Sequence, residues 1–502
     1  MAGQGAMQEV ELGEDPGADD ATRVPGGDDG ADERRRSRRR ALLRCWPVAV
    51  VAVAGVVAVQ VVQDARERDR VAAAREVDGV VRYDVGPELP TTPVDDAETR
   101  PSVLGIAAGD LTVIAEDVDF GTPRAVRAVD AATGAEAWRT TVEMQAEATA
   151  QPTMRAPECW AADEAAAAGG ATAVRCLVVD RPATLIGDGG WEESPSTRSR
   201  LLTLDAATGA VLADREVAPQ AAGAADGGVL VLGEVVAGRT VRVTAEDAAT
   251  EERLWSTDLA EVSLDPVYDP YVTLLGDRVL VWAGQREQVL GLADGVVQAS
   301  GTQVWVGRTG GLLVQDGGPG SVRLAGADGT GATVVPALPV QLGVDDGSAP
   351  GVEFLSAVVS GDRTLRAVDA AGGRTLWEAG LDGQVDGAPL LLGGVLYGAD
   401  ATAVWAVDAR DGRELWRTPR RVGEDGAPVR DTSGLWLSPV TDGRALLLVE
   451  QDGEGGADLA AFALRSGAAL WRTPLPPEAG GWVRAWDGAL YGGTEQPVRI
   501  GG

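Results

Sequence analysis

AVDAATGAEAW occupies Ala128–Trp138, AVDAAGGRTLW occupies Ala367–Trp377, and AVDARDGRELW occupies Ala406–Trp416. One phrase returning along a chain of 502 residues predicts a repeat architecture, and the spacing selects a β-propeller. Each copy reads the same way. An alternating apolar run ending in Val-Asp is a half-buried strand. The Asp carboxylate accepts backbone N–H groups inside the turn that follows. Gly stands four residues on, where a positive φ reverses the chain. Trp stands four residues further, on the next strand, as a flat anchor between sheets. Asp130–Gly134–Trp138, Asp369–Gly373–Trp377 and Asp408–Gly412–Trp416 are thus one turn built three times.

Partial copies keep the spacing. Asp205 and Gly209 are followed by Ala213 in the Trp place, and Asp247 and Trp255 enclose Glu251 in the Gly place. Gly467 and Trp471 follow Ala463 in the Asp place. Weaker turns lie at Asp294–Gly295 and Asp328–Gly329. At the C-terminus Gly488–Ile500 aligns with Gly394–Val407, which leaves a last blade one strand short. An open blade exposes strand edges, so an N-terminal strand near residues 80–85 (VVRYDV) is expected to complete it. The expectation is an all-β, eight-bladed propeller of four-stranded blades over residues 101–502, with one middle turn not a true blade. Counts of seven and nine stay open.

The A-x-D-x-x-T-G-x-x-x-W phrase resembles the repeat of the pyrroloquinoline-quinone-type (PQQ) propellers. That family includes the quinoprotein dehydrogenases and the propeller scaffold of the outer-membrane barrel-assembly machinery. The resemblance implies eight blades around an axis. In the dehydrogenases it further implies a quinone on the axis, calcium held by Glu, Asn and Asp, a ring of adjacent cysteines and an Asp base. This chain has no Asn and no vicinal Cys pair. No catalytic residue is therefore assigned, and no cofactor or metal is expected. Pyrroloquinoline quinone with calcium stays as the alternative.

Composition narrows the chemistry. The chain has no His, and all 44 basic residues are Arg. Without His there is no Ser–His–Asp triad and no imidazole metal site. Without Lys there is no Schiff-base or P-loop lysine. The net charge of −32 repels phosphate backbones, which argues against nucleic acid as a partner.

That charge is unevenly placed. Residues 1–33 carry ten acids and one Arg, and Arg34–Arg44 adds seven positive charges. Residues 1–44 read as a disordered acidic tail ending in an Arg-rich cluster. Cys45–Gln63 then runs without a charge, about the length of apolar chain that crosses a bilayer. Arg before the run places the N-terminus in the cytoplasm and the propeller outside. Residues 64–100 read as stalk and linker. On the outer side, Cys159 and Cys176 are expected to form a disulfide.

Trp160, Trp191 and Trp436 lie off the repeat positions and are candidates for stacking on a ligand. The reading is a single-pass membrane protein whose extracytoplasmic propeller is a protein-interaction scaffold or ligand-binding module for envelope proteins or a cell-wall ligand. The alternative is a quinone- or metal-dependent oxidoreductase of the quinoprotein dehydrogenase type.

Overall fold

A computed structural model describes residues 58–94, 105–116, 124–142, 157–162, 170–180, 183–185, 191–193, 196–236, 240–259, 270–316, 320–325, 333–359, 362–381, 386–421, 438–451, 456–493 and 498–501. The chain divides into two compact units, Met1–Asp69 and Arg70–Gly502. A helix is described from residue 58 to residue 75. Most of the expected membrane span at 45–63, and all of the tail before it, lies outside the described residues. Among those described, no helix is long and apolar enough to cross a membrane.

The larger unit is all-β and consists of successive antiparallel four-stranded sheets. Blade 1 is Gly105–Ala108, Leu111–Ala115, Arg124–Asp130 and Glu136–Val142. Blade 2 is Glu158–Ala161, Ala173–Val179, Ser199–Asp205 and Val211–Val217, with the hairpin Ala183–Leu185 and Trp191–Glu193 inserted. Blade 3 runs over Ala221–Asp226, Val229–Val235, Val241–Asp247 and Arg253–Leu259. Blade 4 takes Tyr271–Leu275, Arg278–Ala283, Arg286–Gly291 and Val297–Gly301. Blade 5 has the short strands Gln303–Val306, Leu312–Gln315, Val322–Ala325 and Thr333–Val335.

Blade 6 is Leu338–Pro339, Val352–Val359, Asp362–Asp369 and Thr375–Leu381. Blade 7 is Asp386–Leu392, Val395–Ala399, Ala403–Asp408 and Glu414–Pro419, and Val344–Asp345 adds a parallel fifth strand. Blade 8 is Val440–Thr441, Ala445–Gln451, Ala457–Ala463 and Ala469–Pro474. Blade 9 is Val483–Trp486, Ala489–Gly492 and Val498–Ile500, closed by Thr91–Pro93.

The described residues thus form nine such sheets, which corrects the expected eight. The strands flanking both weak middle positions belong to real blades. In blade 5 the strands on either side of residues 326–332 pair, Arg323 facing Val334, although the turn at Asp328–Gly329 itself is outside the described residues.

The missing strand of the last blade does come from the N-terminal side, but not from VVRYDV. Thr92 pairs with Arg499 and Pro93 with Val498. Pro suits an outermost strand, whose free edge lacks a ladder partner. Val80, Val81 and Val85 are buried instead in the core shared by blades 7, 8 and 9. Val80 makes a parallel bridge to Thr441, and the Val85 N–H donates to Asp442 Oδ2 at 3.0 Å. The Tyr83 hydroxyl donates to the Ile500 carbonyl at 2.6 Å and accepts from the Leu490 N–H at 3.0 Å. Of the stretch read as stalk and linker, residues 70–94 lie in the unit that begins at Arg70.

The core lies between blades. Inner strands such as Ala173–Val179 and Ala403–Asp408 are buried along almost their whole length, and the faces of neighbouring sheets meet in apolar layers. Such layers join blades 1 and 2, 2 and 3, 3 and 4, 4 and 5, 5 and 6, 6 and 7, and blades 7 through 9.

Candidate functional site

The repeated turn spends its polar groups on itself. Asp130 Oδ1 accepts from the Ala132 N–H at 3.1 Å and from the Thr133 N–H and hydroxyl, both at 2.8 Å. Asp205 accepts from Thr208, and Asp247 from Ala249 and Thr250, in the same way. The Thr hydroxyl and N–H hold the Asp130 and Asp205 carboxyls below the ordinary value of 3.8, and the Thr250 N–H and hydroxyl hold Asp247 there. Where the Asp is lost the backbone still closes: Gly467 N–H donates to the Ala463 carbonyl at 2.8 Å, and Gly295 N–H to the Gly291 carbonyl at 2.9 Å. In blade 4 the Asp place is therefore Gly291, and Asp294 caps only the Val296 N–H.

The Trp of one blade locks onto the turn of the next. Trp138 Nε1–H donates to the Ala206 carbonyl at 3.1 Å, and its ring lies where a Cβ on Gly209 would sit, 2.4 Å away. Thr140 adds a hydroxyl bond to the Gly209 carbonyl at 2.6 Å. Trp255 repeats this on Leu292 and Gly295, and Trp416 on Leu464 and Gly467, each with its Thr. Trp377 does so on Ala409 and Gly412. The Gly is thus required twice over: for its φ, +70° at Gly209, and for the indole on it. Trp471 packs against the core of blades 7 to 9. Gly134 and Gly373 keep the turn, with φ of 68° and 64°. Open space surrounds Gly134.

The seam between blades 2 and 3 departs from this pattern. Ala213 leaves no indole there, so the turn of blade 3 can carry Glu251, at φ 63°. Arg175 takes over. It is 2% exposed, and its Nη2 lies 3.0 Å from Glu251 Oε1. Burial lowers its pKa against the pull of Glu251. A second pair, Arg215 with Glu246, stands where the seams of Trp138, Trp255 and Trp416 have Thr on a carbonyl.

The aromatic ring has moved rather than vanished. Trp160 faces Arg175 across the first two strands of blade 2, and its ring contacts Gly223 on the first strand of blade 3, where a Cβ would come within 2.8 Å. Trp160 thus packs in the seam between blades 2 and 3. Trp191 lies on the inserted hairpin, and Trp436 falls outside the described residues. Cys159, next to Trp160, is disulfide-bonded to Cys176, directly opposite on the neighbouring strand.

Between blades 7 and 8 lies a buried charged cluster. Glu450, 1% exposed, is ion-paired with Arg420, Arg421 and Arg472. Arg417 Nη1 meets Asp400 Oδ2 at 2.8 Å, and Arg421 meets Asp458 at 2.9 Å. Glu414, 3.2 Å from Arg417, supplies a fourth carboxylate for the four arginines. Among the described residues, no group of three or more acids and cysteines is placed to hold a metal ion.

One arrangement was missed in the sequence. Trp482, just before the first strand of blade 9, alternates with Arg484 and Trp486 on it, so the three share one face. The Arg484 guanidinium lies 5.5 Å from the Trp482 ring centroid and 5.6 Å from that of Trp486. Tyr491 stands opposite Arg484 in register, 6.0 Å from Trp486 ring to ring. Arg499 stands opposite Tyr491 and lies 5.6 Å over Tyr83. The alternation W-x-R-x-W was the available signal, but it lies outside the Asp–Gly–Trp repeat.

These sheets, seven of them with the same turn described between their third and fourth strands, define a β-propeller built on the PQQ-type repeat. Residues 295–490 match the PQQ-type family model described as outer membrane protein assembly factor BamB. Among solved structures, BamB from Moraxella catarrhalis is similar at 15% identity and TM-score 0.34, over 82% of this chain and 98% of that one. Quinohemoprotein alcohol dehydrogenase from Comamonas testosteroni is similar at 14% identity and TM-score 0.29, over 86% and 83%. ADHIIG from Pseudomonas putida HK5 follows at 12% and 0.30, over 80% and 78%. At these scores the structural likenesses add nothing to the fold argument. No curated protein sequence matches the chain.

Proposed function

We propose that the chain is an interaction scaffold of the cell envelope. In this reading residues 1–44 are cytoplasmic, residues 45–63 cross the membrane, and the propeller lies outside, where it binds envelope proteins or a cell-wall ligand. The match of residues 295–490 to a family described by an assembly factor carries the reading. The use of polar groups agrees with it. The repeat aspartates cap their own turns and the repeat tryptophans fill the seams, so the blades are a rigid mount for variable loops. The Cys159–Cys176 pair suits an oxidising compartment, and the Arg cluster before residue 45 suits a cytoplasmic N-terminus.

The test is in-membrane cross-linking of the full chain, followed by identification of what is captured. A reproducible set of envelope proteins, captured by protein that protease reaches only from outside the cell, is the expected result. Capture of nothing, together with tight calcium-dependent binding of pyrroloquinoline quinone by calorimetry, would replace the scaffold with an oxidoreductase.

A further inference from the structure

We propose that the Trp482–Arg484–Trp486 face of blade 9 docks an extended acidic segment of a partner polypeptide. The inference rests on the scaffold reading and supplies the partner's chemistry.

The mount is rigid. Val483, Val498 and Ile500 point to the opposite face and are buried in the core of blades 7 to 9. The side chains between them, Arg484 and Arg499, are exposed. Across the blade, Arg484, Tyr491 and Arg499 stand in one row. Neighbouring strands are about 4.8 Å apart, so the two arginines flank Tyr491 on one face.

Neither guanidinium has an ion-pair or hydrogen-bond partner among the described residues. The arginines of blades 7 and 8 contrast sharply, since Arg417, Arg420, Arg421 and Arg472 are all spent on carboxylates. Stacking between two indoles restrains Arg484 before anything binds. A free arginine would lose that rotamer freedom on binding. What remains open is the N–H fork, which matches a carboxylate in two parallel bonds.

Period and charge choose the occupant. Alternate side chains of a strand repeat every 6.5–7 Å or so, and an extended peptide has the same repeat. A carboxylate on Arg484 then sets the residues two before and two after it beside the indoles. In a chain of net charge −32, a face whose charged groups are both guanidinium is complementary to an acidic partner and not to a second copy of its own acidic surface.

The probe is a fluorescein-labelled peptide of alternating glutamate and threonine, titrated into the full chain in detergent and followed by anisotropy. Saturable binding that weakens with salt is expected. Arg484→Gln with Arg499→Gln should weaken it by roughly tenfold or more while leaving the unfolding midpoint unchanged. Arg484→Lys should fall between, because lysine keeps the charge and loses the fork. Equal binding by the double variant, equal binding of a glutamine–threonine peptide, or no saturable binding by the unaltered chain would each overturn the proposal. Partner cross-linking separates the two readings. Capture that persists in the double variant keeps the scaffold and removes this face. Capture by neither protein, with Arg484-dependent peptide binding intact, keeps the face and removes the scaffold.

Discussion

Trp416 and Gly467 belong to different repeats, and each explains the other. The indole fills the space that the glycine leaves, and its N–H satisfies the Leu464 carbonyl. Trp416→Ala should therefore cost about 3 kcal/mol, as a cavity plus a lost hydrogen bond, read as a lower urea midpoint. Gly467→Ala should destabilise as well, since its φ of 68° disfavours a side chain and the ring blocks it. The seam between blades 2 and 3 gives a sharper test. Glu251→Gly removes a left-handed non-glycine residue, which alone would stabilise. It also strands Arg175, which is buried. The loss of the buried cation's partner outweighs the gain, so we expect net destabilisation of about 1–2 kcal/mol. The spacing within one repeat revealed the turn, but the partner of each Trp lies in the following repeat. The paired departure, Ala213 in one copy and Glu251 in the next, was visible in the sequence. It acquires a meaning only once the two blades are face to face.

At the level of elements, the turn carries a pH dependence. The carboxyls of Asp130, Asp205 and Asp247 are held below 3.8. A folded pKa below the unfolded one gives stability that is present above the unfolded value and is lost as pH falls through the folded one. Denaturant midpoints should be flat above about pH 5 and should drop below about pH 4. Replacing all three by Ala should lower the midpoint at pH 7 and shallow that drop. The closing strand makes a second prediction. Removing Thr91–Pro93 leaves Val498–Ile500 as an open edge, and light scattering should then detect association. The sequence pointed to an N-terminal strand but to the wrong residues. VVRYDV has the apolar content of a strand because it is buried under blades 8 and 9. TTP has almost no apolar signal because it lies at an outer edge.

For the whole molecule, the blade count slipped where the repeat is most diluted. Blade 5 has strands of three or four residues, and blade 4 has Gly291 in the Asp place. The seam between blades 4 and 5 has aliphatic packing, as with Val289, Val304 and Leu312, and single hydrogen bonds such as Val304 N–H to Glu287 Oε2 at 2.6 Å, which no fixed motif announces. The disulfide acts on the same large scale. It closes a loop with a sequence separation of 17, worth about 3 kcal/mol. It also ties down the strand whose Trp160 grips blade 3. Reduction should lower the denaturant midpoint, and hydrogen exchange should speed up first in Ala221–Asp226.

Blade 9 also sets an order of events during synthesis. Thr91–Pro93 emerges before all the other strands of the unit and must wait for Val498–Ile500, its pairing partner. The four antiparallel strands of every other blade come from one neighbouring stretch of chain, so each can zip up as it appears. The last one closes a loop of roughly 400 residues, and the entropy of that closure grows only logarithmically with length. Its delay is therefore set less by thermodynamics than by the time needed to translate the rest. A newborn chain arrested anywhere short of residue 498 carries an unsatisfied strand at its front, available for capture by any chaperone that recognises extended backbone.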